Sequence, residues 1–445
     1  MSGGGASYRV TSQRRVGGAM QVPGDKSISH RAMMLGGIAD GVTEVEGFLA
    51  SADCLSTLNA MRAMGVAIEE TAPGRVRLQG AGLHGLKAPK GPLDMGNAGT
   101  AMRLSMGLLA GQHFDSVLVG DPSLSRRPME RAARPLRTMG ASITTTDGRP
   151  PVHVHGGQTL TGAEHVLEVA SAQVKSALML AGLYAGGPTS VTEPAPTRDH
   201  TERMLAAFGV PVQVTGSRVT VSPVIRLEAC RIEVPGDISS AAFFLVAGAL
   251  AARDGLVIRR VGLNPTRTGV IDILRLMGAD IRVHPAGLAG REPVADLEVF
   301  QSDLTGIAIP EELVPLAIDE FPVLFIAAAA ARGETVLSGA AELRVKESDR
   351  IAVMAEGLTR LGATVEVYPD GLRMQGGPLS GGEIDSHGDH RIAMAFAVAS
   401  LLSHGELVIR DVENVGTSFP DFPGIARGIG LEVGVEGAAG RGPHG

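Results

Sequence analysis

The sequence predicts an α/β protein of two similar domains, each built from three copies of one strand–helix–strand–helix–strands unit (βαβαββ). Three observations support this fold class. A helical segment of small apolar residues with a polar start occurs six times, and a second helical segment that ends in Gly follows each copy. The tetrapeptide VPGD occurs at 22–25 and again at 234–237, at the start of each group of three units. Internal repeats of this kind indicate a modular fold.

The first segment of each unit is a predicted buried helix. Its small apolar residues continue over several turns, which is typical of a helix packed on all sides. The polar residues at its start lie where a helix offers free backbone N–H groups and the positive end of its dipole. The six segments lie at 24–41, 95–111, 170–187, 235–255, 318–334 and 387–405.

The second segment of each unit is a shorter predicted helix. Leu and Met recur at helical spacing, and a Gly then ends the helix in the left-handed conformation. An alternating run such as ASIT at 141–144 starts the next strand. The polar start of the first segment and this Gly are separated by about 40 residues in every unit, as expected for true copies. The six second segments lie at 58–68, 135–143, 204–212, 273–281, 357–365 and 426–433.

The two VPGD copies predict where the chain crosses between domains. We expect residues 1–22 and 236–445 to form one domain and residues 23–235 to form the other. We expect the C-terminal tail, 436–445, to be disordered, because it is rich in Gly and polar residues.

Composition excludes several classes of function. The 445 residues carry a net charge of −7, which argues against nucleic-acid binding. The longest apolar runs, 241–252 and 321–331, are too short to span a membrane, and the N-terminus lacks the apolar region of a signal peptide. The two cysteines, Cys54 and Cys230, do not make a disulfide framework. We therefore expect a cytoplasmic protein without nucleic-acid or membrane partners.

The polar helix starts are candidate anion sites. A helix cap or a surface ion pair is the usual explanation for one such residue, and we expect capping alone for Asp237, Ser239 and Ser240. Repetition with different side chains in each copy instead favours binding of phosphate or carboxylate groups. The candidates are Lys26, Ser27, His30, Arg31, Asn97, Thr100, Arg103, Ser171, Gln173, Lys175, Asp319, Glu320, His390 and Arg391.

Several motifs together resemble the 5-enolpyruvylshikimate-3-phosphate (EPSP) synthase family, and the resemblance extends over residues 8–433. Four signatures, GDKS (24–27), SAQVK, RDHTE and NPTR, are similar to those of the second bacterial class of this family. The motifs are PGDKSISHR (23–31), GNAGTAMR (96–103), RRPM (126–129), SAQVK (171–175), RDHTE (198–202), NPTR (264–267), RVKESDR (344–350) and GDHRIAM (388–394). The resemblance implies that in each domain the helices pack inside and the sheets lie outside, with the active site in the cleft between the domains.

The resemblance also implies a reaction. The enolpyruvyl group of phosphoenolpyruvate is transferred to the 5-hydroxyl of shikimate 3-phosphate, and phosphate is released, on the route to chorismate and the aromatic amino acids. The reaction is an addition and elimination through a tetrahedral intermediate. It needs cations for two anionic substrates and groups that move protons at C3 and at the hydroxyl.

The resemblance assigns residues to each substrate. Those implied to bind phosphoenolpyruvate are Lys26, Asn97, Gly99, Arg127, Gln173, Glu347, Arg350, His390 and Arg391. Those implied to bind shikimate 3-phosphate are Lys26, Ser27, Arg31, Ser171, Ala172, Gln173, Arg198, Asp319 and Lys346.

Three residues are implied to move protons. Asp319 is expected to act as the base toward the 5-hydroxyl, and Glu347 is expected to serve C3. Lys26 is a third candidate, and the division of proton transfer among the three stays open.

The sequence departs from the family pattern at one position and is informative at another. Thr417 stands where many members carry a Lys that binds phosphoenolpyruvate, so another cation must take over that contact. At the position of Gly99, the glyphosate-tolerant prototype of the second class carries Ala. Gly99 thus predicts sensitivity to glyphosate, whereas class membership predicts tolerance.

Two alternatives remain open from the sequence. One is the sister transferase that acts on a UDP-amino sugar, which normally has a Lys-Asn pair at its first helix and a reactive Cys in a mobile loop. The other is a non-catalytic module that binds phosphate-bearing ligands.

No HExxH, CxxC or GxxxxGK[ST] pattern occurs, so we expect no metal and no organic cofactor. A monomer is the family default.

Overall fold

The computed structural model describes residues 5–12 and 15–437, and this part of the chain contains twelve α-helices and 23 β-strands. Of the tail predicted to be disordered, Glu436 is the last residue of a strand, and residues 438–445 lie outside the described residues. The helices are α1 (Lys26–Gly37), α2 (Ala52–Ala63), α3 (Gly99–Ala110), α4 (Glu130–Thr138), α5 (Ala172–Gly182), α6 (His200–Ala207), α7 (Ile238–Ala251), α8 (Gly269–Leu276), α9 (Phe321–Ala330), α10 (Arg350–Arg360), α11 (His390–Ala399) and α12 (Phe422–Gly428).

The strands alternate with these helices along the chain. They are β1 (Ser7–Ser12), β2 (Gly18–Gln21), β3 (Val42–Glu46), β4 (Ala67–Ala72), β5 (Arg75–Gln79), β6 (Leu93–Asp94), β7 (Ser116–Val119), β8 (Ser142–Thr146), β9 (Arg149–His155), β10 (Glu164–Val166), β11 (Thr189–Thr192), β12 (Val212–Thr215), β13 (Arg218–Val221), β14 (Arg231–Glu233), β15 (Leu256–Gly262), β16 (Asp280–Ala289), β17 (Glu292–Phe300), β18 (Glu334–Leu337), β19 (Thr364–Tyr368), β20 (Gly371–Gln375), β21 (Leu379–Asp385), β22 (Ser403–Arg410) and β23 (Leu431–Glu436).

The chain forms two compact units, which we call the terminal unit and the inserted unit. The inserted unit consists of Gly24–Pro235 and Leu288–Glu292. The terminal unit consists of the described residues of Met1–Pro23, Gly236–Gly287 and Pro293–Gly445.

These bounds differ from the sequence prediction at residue 23 and at residues 288–292. The second difference has a physical reason, because α6 holds the turn between β16 and β17. The carboxylate of Glu292 lies 2.8 Å from Nδ1 of His200, and Arg203 Nη1 donates to the carbonyl of Arg291 at 2.9 Å. Contacts this distant in sequence are not visible in a local pattern.

The inserted unit has three four-stranded sheets, each with one parallel pair and two antiparallel pairs. In the first, Val45 of β3 lies opposite Ile232 on one side and Val76 on the other. All three side chains are buried, so this face of the sheet packs on the core while the alternate residues face outward. The strand orders are β14-β3-β5-β4, β6-β7-β9-β8 and β10-β11-β13-β12.

Three buried helices, α1, α3 and α5, form the centre of the inserted unit. The backbones of α3 and α5 approach closely at Gly107. A Cβ at this position would lie 2.0 Å from the carbonyl oxygen of Ala177, so only Gly fits there. The close contact explains why small residues recur in these helices.

The terminal unit repeats this plan with α7, α9 and α11 at its centre. Its sheets have the orders β16-β17-β15-β2, β18-β20-β19 and β21-β22-β1-β23. In the second sheet, two isolated bridges, Thr305 to Arg332 and Ala308 to Val336, take the place of a fourth strand. The N-terminal strand β1 pairs with β22 and β23, which places the first residues in this unit. The predicted fold class is confirmed.

The Gly residues that end the second helix of each unit have the predicted conformation. Each has a φ between 80° and 100°, which is the left-handed region that ends helices without a Cβ penalty. They are Gly65, Gly140, Gly209, Gly278, Gly362 and Gly430.

Candidate active site

The first turn of α1 carries the first cation of the predicted site. The carboxylate of Asp25 caps the helix and accepts a hydrogen bond from the backbone N of Ile28 at 2.9 Å. The helix therefore starts at Lys26, whose ammonium forms an ion pair with the carboxylate of Asp53 in the first turn of α2. Asp53 is 3% exposed, whereas Lys26 keeps 21% of its side chain accessible. The ammonium of Lys26 is therefore accessible to a ligand, and the buried carboxylate of Asp53 holds it in position.

Arg31 lies one helical turn deeper and is buried. Its guanidinium donates to Thr201 Oγ1 at 2.7 Å, to Ser176 Oγ at 2.8 Å and to the carbonyl of Ser27 at 3.0 Å. Burial lowers the pKa of Arg31 to about 10. Its position links α1 to α5 and α6, and its implied role in binding shikimate 3-phosphate stays a prediction.

Two guanidinium groups converge over the N-terminus of α3. A Cβ on Gly99 would lie 3.1 Å from Nη1 of both Arg103 and Arg127. Arg127 Nη2 donates to Asn97 Oδ1 at 2.5 Å, and Asn97 Nδ2 in turn donates to Asp121 Oδ2 at 2.7 Å. The N-terminus of α3 thus combines backbone N–H groups of a first helical turn with two guanidinium groups, and both kinds of group bind anions.

The start of α5 joins the same cluster. Ser171 caps α5 by accepting from the N of Val174 at 3.4 Å. Gln173 is held between two residues of α3, because Arg103 Nη1 donates to its Oε1 at 2.6 Å and its Nε2 donates to Thr100 Oγ1 at 2.9 Å. Ser171, Ala172 and Gln173 are all partly exposed, as is Arg198 in the segment before α6.

A buried charge cluster lies within the SAQVK and RDHTE motifs. Lys175 Nζ lies 2.7 Å from the carboxylate of Glu193 and 2.7 Å from that of Glu202. Burial disfavours its charge, but the two carboxylates outweigh burial and raise the pKa of Lys175. Lys175 therefore acts as an internal support of this region, with 2% of its side chain exposed.

In the terminal unit, one guanidinium group organises the predicted proton carriers. Arg350, at the start of α10, is 1% exposed. Its Nη1 lies 3.2 Å from Asp319, its Nη2 lies 2.5 Å from Glu347, and its Nε lies 2.9 Å from Asp389. Burial disfavours its charge, but the three carboxylates outweigh burial and raise the pKa of Arg350. The structure thus brings Asp319 and Glu347 to the two terminal nitrogens of one guanidinium group.

The remaining terminal residues surround this arrangement. Lys346 Nζ lies 3.4 Å from Asp319 Oδ1. Arg391 Nη1 donates to the backbone carbonyl of Asp319 at 3.0 Å, and Nε2 of His390 lies 3.1 Å from Ser418 Oγ. Every predicted residue of this unit is therefore placed within one cluster around Asp319 and α11.

Thr417 ends a short 3₁₀ helix, Glu413–Thr417, near His390. Its hydroxyl donates to the carbonyl of Asn414 at 2.7 Å. This hydrogen bond lies within the 3₁₀ helix, and a neutral hydroxyl does not replace the positive charge of a Lys ammonium.

Residues 10–425 match the sequence model of the family described as EPSP synthase (3-phosphoshikimate 1-carboxyvinyltransferase). The chain belongs to the EPSP synthase family.

Individual relatives cover almost the whole chain. A 3-phosphoshikimate 1-carboxyvinyltransferase from Alkalilimnicola ehrlichii is 61% identical over 426 residues, which are 95% of this chain and 96% of the relative. One from Methylococcus capsulatus is 59% identical over 422 residues, 95% of this chain and 97% of the relative. The solved structure of EPSP synthase from Acinetobacter baumannii has a TM-score of 0.87 and 53% sequence identity, and covers 97% of this chain and 100% of that chain. The resemblance inferred from the motifs is confirmed.

Four residues contact the predicted site residues of the inserted or the terminal unit but have no substrate assigned from the sequence. Arg103 and Glu320 were recognised only as polar helix starts. Asp389 had a local signal, because it directly precedes His390 as an N-cap and accepts from the N of Arg391 at 2.9 Å. Asp53 has no such signal in the sequence, because acidic residues are common in the first turn of any helix.

Within 5–12 and 15–437, no helix is long and apolar enough to cross a membrane. In the same ranges, no group of three or more His, Cys, Asp or Glu side chains is placed to hold a metal ion.

Proposed function

We propose that the clusters of the inserted and terminal units act together on one pair of substrates, phosphoenolpyruvate and shikimate 3-phosphate. The overall activity follows from the family. The chain is a carboxyvinyl transferase that moves the enolpyruvyl group of phosphoenolpyruvate to the 5-hydroxyl of shikimate 3-phosphate and releases phosphate. It acts in the shikimate pathway of aromatic amino acid biosynthesis.

One observation supports the proposed roles most directly. Asp319 and Glu347 both contact Arg350, at 3.2 Å and 2.5 Å. A shared cation offsets the repulsion between two carboxyl groups and holds them about one guanidinium width apart. Such a pair can exchange protons with two different atoms of the same reactants.

The first half of the proposed reaction is an addition. The 5-hydroxyl oxygen forms a bond to C2 of phosphoenolpyruvate and gives its proton to Asp319. C3 takes a proton from Glu347 or Lys26 as the double bond is lost. The product of this half is a tetrahedral ketal phosphate.

The second half is an elimination. The bond between C2 and the phosphate oxygen breaks, phosphate leaves with the bonding electrons, and C3 returns its proton to the group that supplied it. The double bond of the enolpyruvyl group is restored in the product. Phosphate carries more charge as it leaves, so fixed cations are expected to favour this step.

The cations have two proposed partners. Lys26, Arg127, Arg350, His390 and Arg391 are proposed to bind phosphoenolpyruvate, and Asn97, Gly99 and Gln173 to shape the same subsite. Shikimate 3-phosphate is proposed to meet Lys26, Ser27, Arg31, Ser171, Ala172, Gln173, Arg198, Asp319 and Lys346.

The proposed roles are tested by phosphate release from phosphoenolpyruvate, measured with and without shikimate 3-phosphate. We expect release to require shikimate 3-phosphate and to fall about 100-fold to 10,000-fold in Asp319→Asn and in Glu347→Gln. Glu356→Gln, a substitution of an exposed carboxylate on α10, is the control and is expected to keep the wild-type rate. A wild-type rate in Asp319→Asn would remove the proposed base.

The same assay separates the alternatives. Release with a UDP-amino sugar in place of shikimate 3-phosphate would indicate the sister transferase. Absence of release with either acceptor would indicate a binding module.

We also propose that the chain works in the cytoplasm as a monomer. Both cysteines are free thiols, which fits a reducing compartment. Sedimentation of the purified protein over a range of concentrations tests the monomer, and a dimer at all concentrations would overturn it.

A further inference from the structure

The NPTR motif at 264–267 has no role in the proposed chemistry, and the structure shows what it builds. Asn264 Oδ1 accepts from the N of Thr266 at 2.9 Å and from its hydroxyl at 2.7 Å. The N of Arg267 donates to the carbonyl of Asn264 at 2.8 Å. This turn directs the side chain of Arg267 inward before α8 begins, and the residue is 3% exposed.

Arg267 enters a buried network at the start of α7. Its Nη2 lies 3.1 Å from Asp237 Oδ1 and donates to Ser239 Oγ at 2.5 Å. The Ser239 hydroxyl also contacts the carboxylate of Glu320. Because Arg only donates and an ionised Glu only accepts, this hydroxyl must accept from Arg267 and donate to Glu320. The expectation that Asp237 and Ser239 serve as helix caps alone is therefore incomplete.

Glu320 lies between two guanidinium groups. Its Oε1 is 3.9 Å from Arg267 Nη2 and 3.7 Å from Arg391 Nη1. Glu320 is 3% exposed, so its carboxylate is desolvated and its interactions with both cations are weakly screened. The same Arg391 nitrogen donates to the carbonyl of Asp319, the preceding residue.

From this geometry we infer that Glu320 is a positioning residue for the phosphoenolpyruvate subsite, oriented by Arg267 of the NPTR motif through Ser239. Its carboxylate holds the guanidinium of Arg391 in place. The inference rests on the proposed function, since it assigns Arg391 to phosphoenolpyruvate.

The direction of the effect follows from the position of Arg391. Its Nη1 is held by the carboxylate of Glu320 and by the carbonyl of Asp319. Glu320→Gln removes the charged one of these two contacts, so the guanidinium is no longer held in the orientation proposed to meet phosphoenolpyruvate. Phosphoenolpyruvate binding should weaken, whereas binding of shikimate 3-phosphate should change little.

The test is steady-state kinetics of Glu320→Gln, Ser239→Ala and the control Ser240→Ala, with each substrate varied in turn. For Glu320→Gln we expect the KM for phosphoenolpyruvate to rise about tenfold and the KM for shikimate 3-phosphate to stay within about twofold. Ser239→Ala should give the same pattern with a smaller change. Ser240, its neighbour in α7 outside the network, should behave as wild type. A parallel rise in both KM values would indicate a merely structural role and overturn the inference.

A double-mutant cycle tests the path from Arg267 to Glu320. Arg267→Met should raise the KM for phosphoenolpyruvate in the wild-type background but change it less than about twofold in Glu320→Gln. Independent, multiplying effects would show that Arg267 does not act through Glu320. If Glu320→Gln fails to fold, the milder Ser239→Ala decides by the ratio of its two KM values.

Thermal unfolding with phosphoenolpyruvate alone distinguishes this inference from the proposed function. Phosphoenolpyruvate should raise the Tm of wild type and Ser240→Ala but raise that of Glu320→Gln less. If wild type binds phosphoenolpyruvate without turnover, the proposed reaction fails while the role of Glu320 is still decided by these shifts. Equal shifts in all three proteins would overturn the inference even if turnover is normal.

Discussion

Arg350 and Asp389 form an ion pair that is almost completely removed from solvent. Nε of Arg350 lies 2.9 Å from Oδ2 of Asp389, and the two side chains are 1% and 0% exposed. Removing one charge of a buried pair leaves the other uncompensated, which costs about 3 kcal/mol or more. We therefore expect Asp389→Asn to lower the apparent free energy of unfolding in urea by about 3 kcal/mol.

The same helix supplies a matched control for this prediction. Glu356 and Arg360 also form an ion pair, at 3.1 Å, but both side chains are more than half exposed. Glu356→Gln should change the free energy of unfolding by less than about 0.5 kcal/mol. Equal losses in the two variants would show that burial does not set the importance of Arg350 and Asp389.

Asp53 should matter for activity although it is buried behind Lys26. Asp53→Asn keeps the shape of the side chain but removes the charge that holds the Lys26 ammonium. A displaced catalytic group can lose about 100-fold in rate, so we expect kcat/KM to fall between about 10-fold and 100-fold. The measurement is phosphate release at saturating shikimate 3-phosphate.

A charge-removal control accompanies Asp53→Asn. Glu69→Gln lies on the exposed side of β4 in the same unit and should leave kcat/KM unchanged. An Asp53→Asn variant as active as Glu69→Gln would show that Lys26 does not need its partner.

Gly99→Ala should disturb phosphoenolpyruvate binding without unfolding the protein. The new methyl group would lie 3.1 Å from Nη1 of Arg103 and of Arg127, so both guanidinium groups must move by a few tenths of an ångström. We expect the KM for phosphoenolpyruvate to rise about tenfold and kcat to change by less than about threefold. Glyphosate inhibition should also weaken, because the family resemblance implies that this methyl group crowds the inhibitor.

Gly187→Ala is the control for this substitution. A Cβ there would have no atom within 4 Å, so kinetics and inhibition should match wild type. Unchanged glyphosate inhibition in Gly99→Ala would show that residues other than Gly99 set the response to glyphosate.

The features that the sequence predicted are local or repeated. The helix ends at Gly65 and Gly140 follow from one residue and its neighbours, and the buried helices follow from runs of small apolar residues. The cations at the helix starts were predicted for the same reason, since the first turn of a helix is an anion site whatever surrounds it. Six copies of the unit made each local prediction stronger.

The features that the sequence did not predict are pairings between distant residues. Lys26 meets Asp53, and Glu292 meets His200, across separations that no helical or strand period connects. The VPGD copies illustrate the limit. The cap expected at Asp237 is present, and Asp25 of the other copy caps α1 in the same way. The contact of Asp237 with Arg267 joins residues 30 positions apart and has no local sequence signal.

His30 should make stability depend on pH in a predictable direction. It is fully buried, with Nδ1 at 2.7 Å from Thr57 Oγ1, and burial, aided by the nearby charges of Lys26 and Arg31, lowers its pKa to about 3. The unfolded chain binds a proton at His30 near pH 6.5, whereas the folded chain does not. Titration of His30 therefore does not reduce the free energy of unfolding above about pH 6.5, and it reduces that free energy progressively as the pH falls from 6.5 toward 3. Between pH 7.5 and 5.5 the loss from this residue should be about 1.4 kcal/mol.

Urea unfolding at pH 7.5 and 5.5 isolates this contribution from those of the carboxylates. His30→Gln removes the titrating group, so its loss of stability on acidification should be smaller than that of wild type by about 1.4 kcal/mol. His153→Gln, at an exposed position of β9, controls for the removal of a histidine and should follow wild type. If His30→Gln and wild type lose equal stability between the two pH values, His30 is protonated to the same extent in the folded and unfolded states. The buried imidazole would then have to carry a charge between Lys26 and Arg31, which its burial and the sign of both neighbours oppose.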